Sequence, residues 1–117
     1  MRFASLGSGS RGNSTLVDSG KTTLMIDCGF SGREVERRLS NLDCLAEELD
    51  AILVTHEHSD HISGVVSLAE QFDIAVYATH GTVRASSLSS VSRLVRFNAG
   101  EQFLVGDILV QSVSVPQ

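Results

Sequence analysis

The stretch VTHEHSDHISG, Val54 to Gly64, places three of the chain's four histidines, with two carboxylates among them, in six consecutive positions. Burying so many hydratable groups unpaired is costly, so the cluster demands a use. His56 and His58 are two apart directly after DAILV (Asp50–Val54), a short continuous apolar run typical of a strand buried on both faces. In extended chain, alternate side chains point the same way, so both imidazoles project to one side. Asp60 and His61 follow where the chain turns into a helix, predicted from Ile62, Val65, Val66, Ala69 and Phe72 at helical spacing. The pattern H-x-H-x-D-H after a buried strand points to a metal site with His56, His58, Asp60 and His61 as ligands. Imidazole with carboxylate suits zinc, iron or manganese and does not choose among them. The bland alternatives are local: Ser59 or Asp60 as a helix N-cap, and Glu57 pointing to the other side.

Outward from the cluster, the chain reads as one mixed α/β unit. RFASL is β-like. NSTLVDS and TTLMID flank the turn GK as a hairpin. SGREVERRLSNL offers Ser31 as an N-cap and Val35 and Leu39 as inward positions of a helix. IAVYA is a further strand, HGTVRASSLSSV a short Ser-rich helix, and RLVRF, the turn NAGE and QFLVGDILVQSVSV are strands closing the chain.

Two other motifs fail on context. GSGSRG, Gly7–Gly12, matches G-x-G-x-x-G, with Asp27 twenty positions beyond Gly7. A hairpin between Gly12 and Asp27 leaves no room for the helix whose N-terminus would hold a pyrophosphate. TLVDSGKT ends like a phosphate-binding loop but has Thr15 where the first glycine is required, and Lys21 falls in the hairpin turn.

Composition narrows the class. The 117 residues are 42% hydrophobic and 20% charged, ordinary for a soluble globular domain, and no apolar run has the length to cross a bilayer. A cytoplasmic location is the default expectation. Cys28 and Cys44 form neither a disulfide framework nor a C-x-x-C knuckle and are expected as half-buried thiols in a reducing compartment. The net charge of −5 argues against indiscriminate nucleic-acid binding, and REVERR (Arg33–Arg38) reads as a salt-paired helix face.

The combination GSGSRGNST, LMIDCGFSGRE, LDAILVTHEHSDHISGV and VYATHGT resembles the metallo-β-lactamase superfamily, and within it the WalJ/YycJ-like branch. THEHSDH (Thr55–His61) is that superfamily's central metal motif, and LMIDCG (Leu24–Gly29) resembles the motif whose aspartate lies beneath the site. The resemblance implies an αβ/βα sandwich, of which residues 1–117 look like one partial domain forming about the first half. It implies two divalent metal ions, zinc first, with manganese or iron as alternatives. His56 and His58 would hold one ion, Asp60 and His61 the other, and Asp27 would brace the ligands from behind. A hydroxide bridging the metals would attack a phosphodiester, with Asp60 also accepting a proton.

The branch implies a nuclease or phosphodiesterase with a nucleic acid substrate; no membrane partner is expected, since no apolar run is long enough to cross a bilayer. A thioester or lactam substrate is the alternative within the same class. The family's third histidine is expected after a VP-like strand end, where this chain reads VSVPQ and ends at Gln117. That leaves the first ion one ligand short of an ordinary catalytic zinc site, with His80 the only spare histidine. Hence the other alternative, a non-catalytic half-domain that self-associates through uncovered apolar surface, a homo-oligomer.

Overall fold

A computed structural model of the chain describes residues 1–7, 14–27, 30–55, 59–84 and 86–112, and of residues 59–63 the backbone only. Six strands form one sheet in sequence order: β1 (Arg2–Gly7), β2 (Ser14–Asp18), β3 (Thr23–Ile26), β4 (Ala51–Val54), β5 (Ala75–Thr79) and β6 (Leu94–Phe97). The first three run antiparallel; β3 through β6 run parallel. Helices α1 (Gly32–Ser40), α2 (Ser59–Phe72) and α3 (His80–Arg84) make the connections parallel strands require. A separate two-stranded antiparallel sheet, β7 (Gln102–Val105) and β8 (Ile108–Gln111), comes after them.

Both faces of the large sheet are covered, which explains the unbroken apolar run of β4. Ile52 and Val54 face the helices, in a core with Met25, Val35, Leu39, Val65, Leu68 and Val76. Ala51 and Leu53 face the β7–β8 hairpin, in a second core with Val17, Leu24, Phe97, Val105 and Ile108. The ring of Phe103 joins the two sheets: it stacks on Tyr77 at 5.4 Å and tilts against Phe97 at 4.7 Å. The other hairpin face carries Leu104 and Leu109, paired across the strands and 63% and 61% exposed.

Local chemistry sets the element ends. Ser31 caps α1 by accepting from Glu34 N at 3.3 Å, as its position predicts. Lys21 lies in the β2–β3 turn, where Gly20 has φ +93° and Asp18 accepts from its N–H, so Lys21 belongs to a hairpin and not to a phosphate loop. Strands β2 and β3 fill 14–26, which excludes a dinucleotide-type helix there. Helix α2 starts at Ser59, three residues before the predicted Ile62, and so takes Asp60 and His61 into its first turn. The stretch QFLVGDILVQ forms a hairpin of its own around Gly106 and does not extend the large sheet.

At the turns the two sheets are pinned together. Ser19 Oγ donates to Asp107 at 2.6 Å, and Gly106, at φ +58°, passes so close to Thr22 that a Cβ there would lie 2.2 Å from its Oγ1. The Ser19 and Thr22 hydroxyls hold the Asp107 carboxyl below its ordinary range.

Candidate metal centre

Parallel strands align their C-terminal ends, and one edge of the sheet therefore gathers Asp27 after β3, Thr55 after β4 and His80 after β5. The antiparallel β1–β2 pair brings Gly7 and Ser14 to the same edge, because Gly7 pairs with Ser14 and Ser14 Oγ donates to the Asp27 carbonyl at 2.7 Å. Ser14 is buried, so that bond satisfies its hydroxyl and fixes the chain at Asp27.

Asp27 has φ +58°, a left-handed conformation that Asp and Asn tolerate better than most residues. Its backbone N donates to the Leu53 carbonyl at 2.7 Å, extending the β3–β4 ladder by one residue. The left-handed turn then carries the carboxylate across to β4. There it accepts from Thr55 N at 2.8 Å and from Thr55 Oγ1 at 2.5 Å. Asp27 thus grips the residue immediately before His56.

His56 and His58, with Glu57, lie outside the described residues, as do Cys28 and Asn13. Asp60 and His61 are placed by their backbone alone, in the first turn of α2. The four predicted ligands are therefore bracketed: Thr55 before them on β4's end, and α2 carrying the last two. Among the described residues no group of three or more His, Cys, Asp or Glu is gathered elsewhere as a metal site. His80 opens α3, exposed, one residue beyond Thr79 on the neighbouring strand. Cys44 is buried; burial first, then Glu48 and Asp18, push its thiol up, so it behaves as a core residue.

Gly64 explains how α2 approaches this edge, a point that sequence spacing did not disclose. A Cβ at Gly64 would lie 2.4 Å from the Phe30 carbonyl oxygen, so only glycine lets the helix press against the segment following Asp27. The signal was present in HISG, where a helical glycine interrupts a good apolar stripe.

On donor chemistry, the three imidazoles and the Asp60 carboxylate of the predicted ligand set are groups that zinc, iron or manganese takes. The residues fit divalent ions.

A parallel-centred sheet with helices on one face, an aspartate at the end of β3 and a histidine-rich segment at the end of β4 define a family. Residues 7–109 match the metallo-beta-lactamase superfamily, and the chain belongs to it. Among its relatives, the exodeoxyribonuclease WalJ of Streptococcus pneumoniae serotype 2 (strain D39 / NCTC 7466) is 38% identical, over 97% of this chain and 45% of the relative. The exodeoxyribonuclease YycJ of Bacillus anthracis is 35% identical, over 98% of this chain and 45% of the relative. The chain spans about half the length of the curated relatives it matches. In fold, it superposes on a B3 metallo-beta-lactamase with an active-site glutamic acid at a TM-score of 0.81 and 20% identity, over 97% of this chain and 49% of that one. The expected α/β class and the resemblance to WalJ and YycJ are thereby borne out.

Proposed function

We propose that the protein is a metal-dependent nuclease acting on DNA, with RNA as the neighbouring substrate class. The observation that carries this reading is the double hydrogen bond from Thr55 to Asp27 at the strand end that leads into His56–His61, in a chain related to two exodeoxyribonucleases. His56 and His58 would hold one divalent ion; Asp60 and His61 would hold a second. Zinc, manganese and iron all suit these donors, zinc first. When bound, such ions lower the pKa of water and stabilise charge on a phosphoryl oxygen.

The chain's own residues supply the rest. Asp27 holds the start of the ligand segment in register with β3, so that the imidazoles need not be ordered when substrate arrives. Asp60 accepts the proton that the attacking water gives up. The net charge of −5 supplies no general attraction for a polyanion, so substrate affinity would have to come from local groups at the edge. We also assign residues 1–117 to a single partial domain and the protein to the cytoplasm.

Elemental mass spectrometry of the purified protein after exposure to zinc and manganese, followed by assays on single-stranded DNA, duplex DNA, RNA, a thioester and a β-lactam, tests the reading. Metal uptake that is lost in His56→Ala and His58→Ala, with DNA turnover above the other substrates, is the expected result. Turnover of the thioester or lactam alone would move the protein to a different hydrolase class. Failure to hold metal, with a mass that grows with concentration, would replace the reading by a self-associating module. The exposed Leu104–Leu109 pair gives that second reading its surface.

A further inference from the structure

Arg38, on the last turn of α1, makes contacts that no other cation among the described residues makes. Its Nη1 donates to the Leu6 carbonyl at 2.6 Å, its Nε donates to Glu34 at 2.8 Å, and its guanidinium carbon sits 4.1 Å from the centre of the Phe30 ring. Leu6 is one residue before Gly7, where β1 runs into the glycine-rich stretch GSGSRG. Phe30 comes after the Asp27 segment, and its carbonyl is the atom against which Gly64 of α2 is pressed. One side chain therefore bears on β1's end, on the segment leading away from Asp27 and, through Phe30, on the helix whose first turn carries Asp60 and His61.

We propose that Arg38 is a positioning residue for the metal-bearing edge: from α1 it clamps the root of the glycine-rich stretch and the segment after Asp27 against each other. The clamp's role in catalysis rests on the function proposed above; the clamp itself does not. A planar guanidinium is suited to the task because it can donate in its plane to Glu34 and to the Leu6 carbonyl while its face covers Phe30. An ammonium at the same place is a point charge that cannot serve all three. With 32% of its side chain exposed, against 67% for Arg37, Arg38 makes these contacts with less competition from water than its neighbour. Arg37 provides the control. It donates to the same Glu34 carboxylate, at 2.5 Å and 3.1 Å, from a side chain that is 67% exposed, and it contacts neither Leu6 nor Phe30 in any hydrogen bond or ring contact described.

The test compares Arg38→Gln, Arg38→Lys and Arg37→Gln by amide hydrogen exchange and by DNA cleavage. In Arg38→Gln, exchange at Leu6, Gly7 and Phe30 should quicken about tenfold or more while Val35 and Leu39 of α1 keep their protection. Cleavage kcat should fall about tenfold with KM changed by less than about twofold, Arg38→Lys should recover part of the loss, and Arg37→Gln should match the wild type in both measurements. Equal effects of Arg37→Gln and Arg38→Gln, or exchange quickened uniformly across the domain, would overturn the clamp. If the wild-type protein cleaves no substrate, the proposed function fails, and the exchange comparison alone still decides whether Arg38 clamps the two segments.

Discussion

Asp27 and Thr55 lie 28 residues apart in sequence and are joined twice, the carboxylate accepting from both the backbone N–H and the hydroxyl of the threonine. Both bonds lie at an exposed strand end, where water can replace either partner. The pair therefore contributes modestly to folding, about 1 kcal/mol per bond, and it fixes the residue just before His56, where the proposed ligands begin.

Asp27→Asn isolates that effect. Asparagine tolerates the φ of +58° as well as aspartate does, so the backbone is not strained. Its amide oxygen can keep the bond from Thr55 N, but its NH2 cannot accept from the Thr55 hydroxyl, so that bond must reverse its direction, and the negative charge behind the segment is removed. Zinc and manganese affinity should fall by about 10- to 100-fold, with the unfolding free energy changed by less than about 1 kcal/mol. Competitive chelator titration gives the first quantity and urea denaturation the second. Unchanged affinity would show that Asp27 does not support the ligands.

Gly64→Ala tests the packing of α2. The added methyl meets a backbone oxygen at 2.4 Å, which cannot swing aside as a side chain would. Helix propensity favours the substitution by about 1 kcal/mol, so an observed loss of about 1–3 kcal/mol in urea unfolding would be the mark of overpacking. A stabilised Gly64→Ala protein would mean that the helix does not press on Phe30.

Acid should weaken the α1 charge cluster in a defined window. Hydrogen bonds from Arg37 and then Arg38 lower Glu34 from its usual 4.5 to about 2. A carboxylate held below its unfolded value contributes stability that is fully present above about pH 4.5 and is lost as pH falls towards 2. Glu34→Gln removes the titrating group, so its urea midpoint should fall less steeply over that window than the wild type's. Parallel pH profiles for the two proteins would count against the ion-pair cluster.

The two faces of the β7–β8 hairpin should respond oppositely to substitution. Ile108 is buried against the large sheet, and Ile108→Ala should cost about 2–5 kcal/mol in urea unfolding. Leu104 and Leu109 face away, and changing both to glutamine should alter stability by less than about 0.5 kcal/mol. A large loss from the leucine pair would place that face in an interior.

Much of this architecture was legible because the sequence pattern and the packing agree. The run at β4 reads as buried on both sides and is, since helices cover one face and the hairpin the other. Ser31 stands as a cap where its hydroxyl predicts one. The separate small sheet was not legible, because QFLV and ILVQ alternate in the same way whether they extend one sheet or cover another. At the candidate metal centre, the motif names the expected donor types, and the structure adds the bonds between Asp27 and Thr55, while His56 and His58 lie outside the described residues. The start of α2 at Ser59 was missed because Asp60 and His61 are weak helix formers, and only tertiary packing of the helix decides where it begins. Arg38 was missed for another reason: within REVERR it looks like one more member of a solvated charge run, and nothing local distinguishes it from Arg37.

The contact of Ser19 and Thr22 with the Gly106–Asp107 turn lies at the opposite end of β3 from Asp27. These polar contacts between the sheets and the segments proposed to meet a substrate thus occupy opposite rims. The start of α3 lies away from Ser19, Thr22 and Asp107, so changes there leave those contacts untouched. A frame built this way lets one rim vary in sequence while the contacts at the other stay in place.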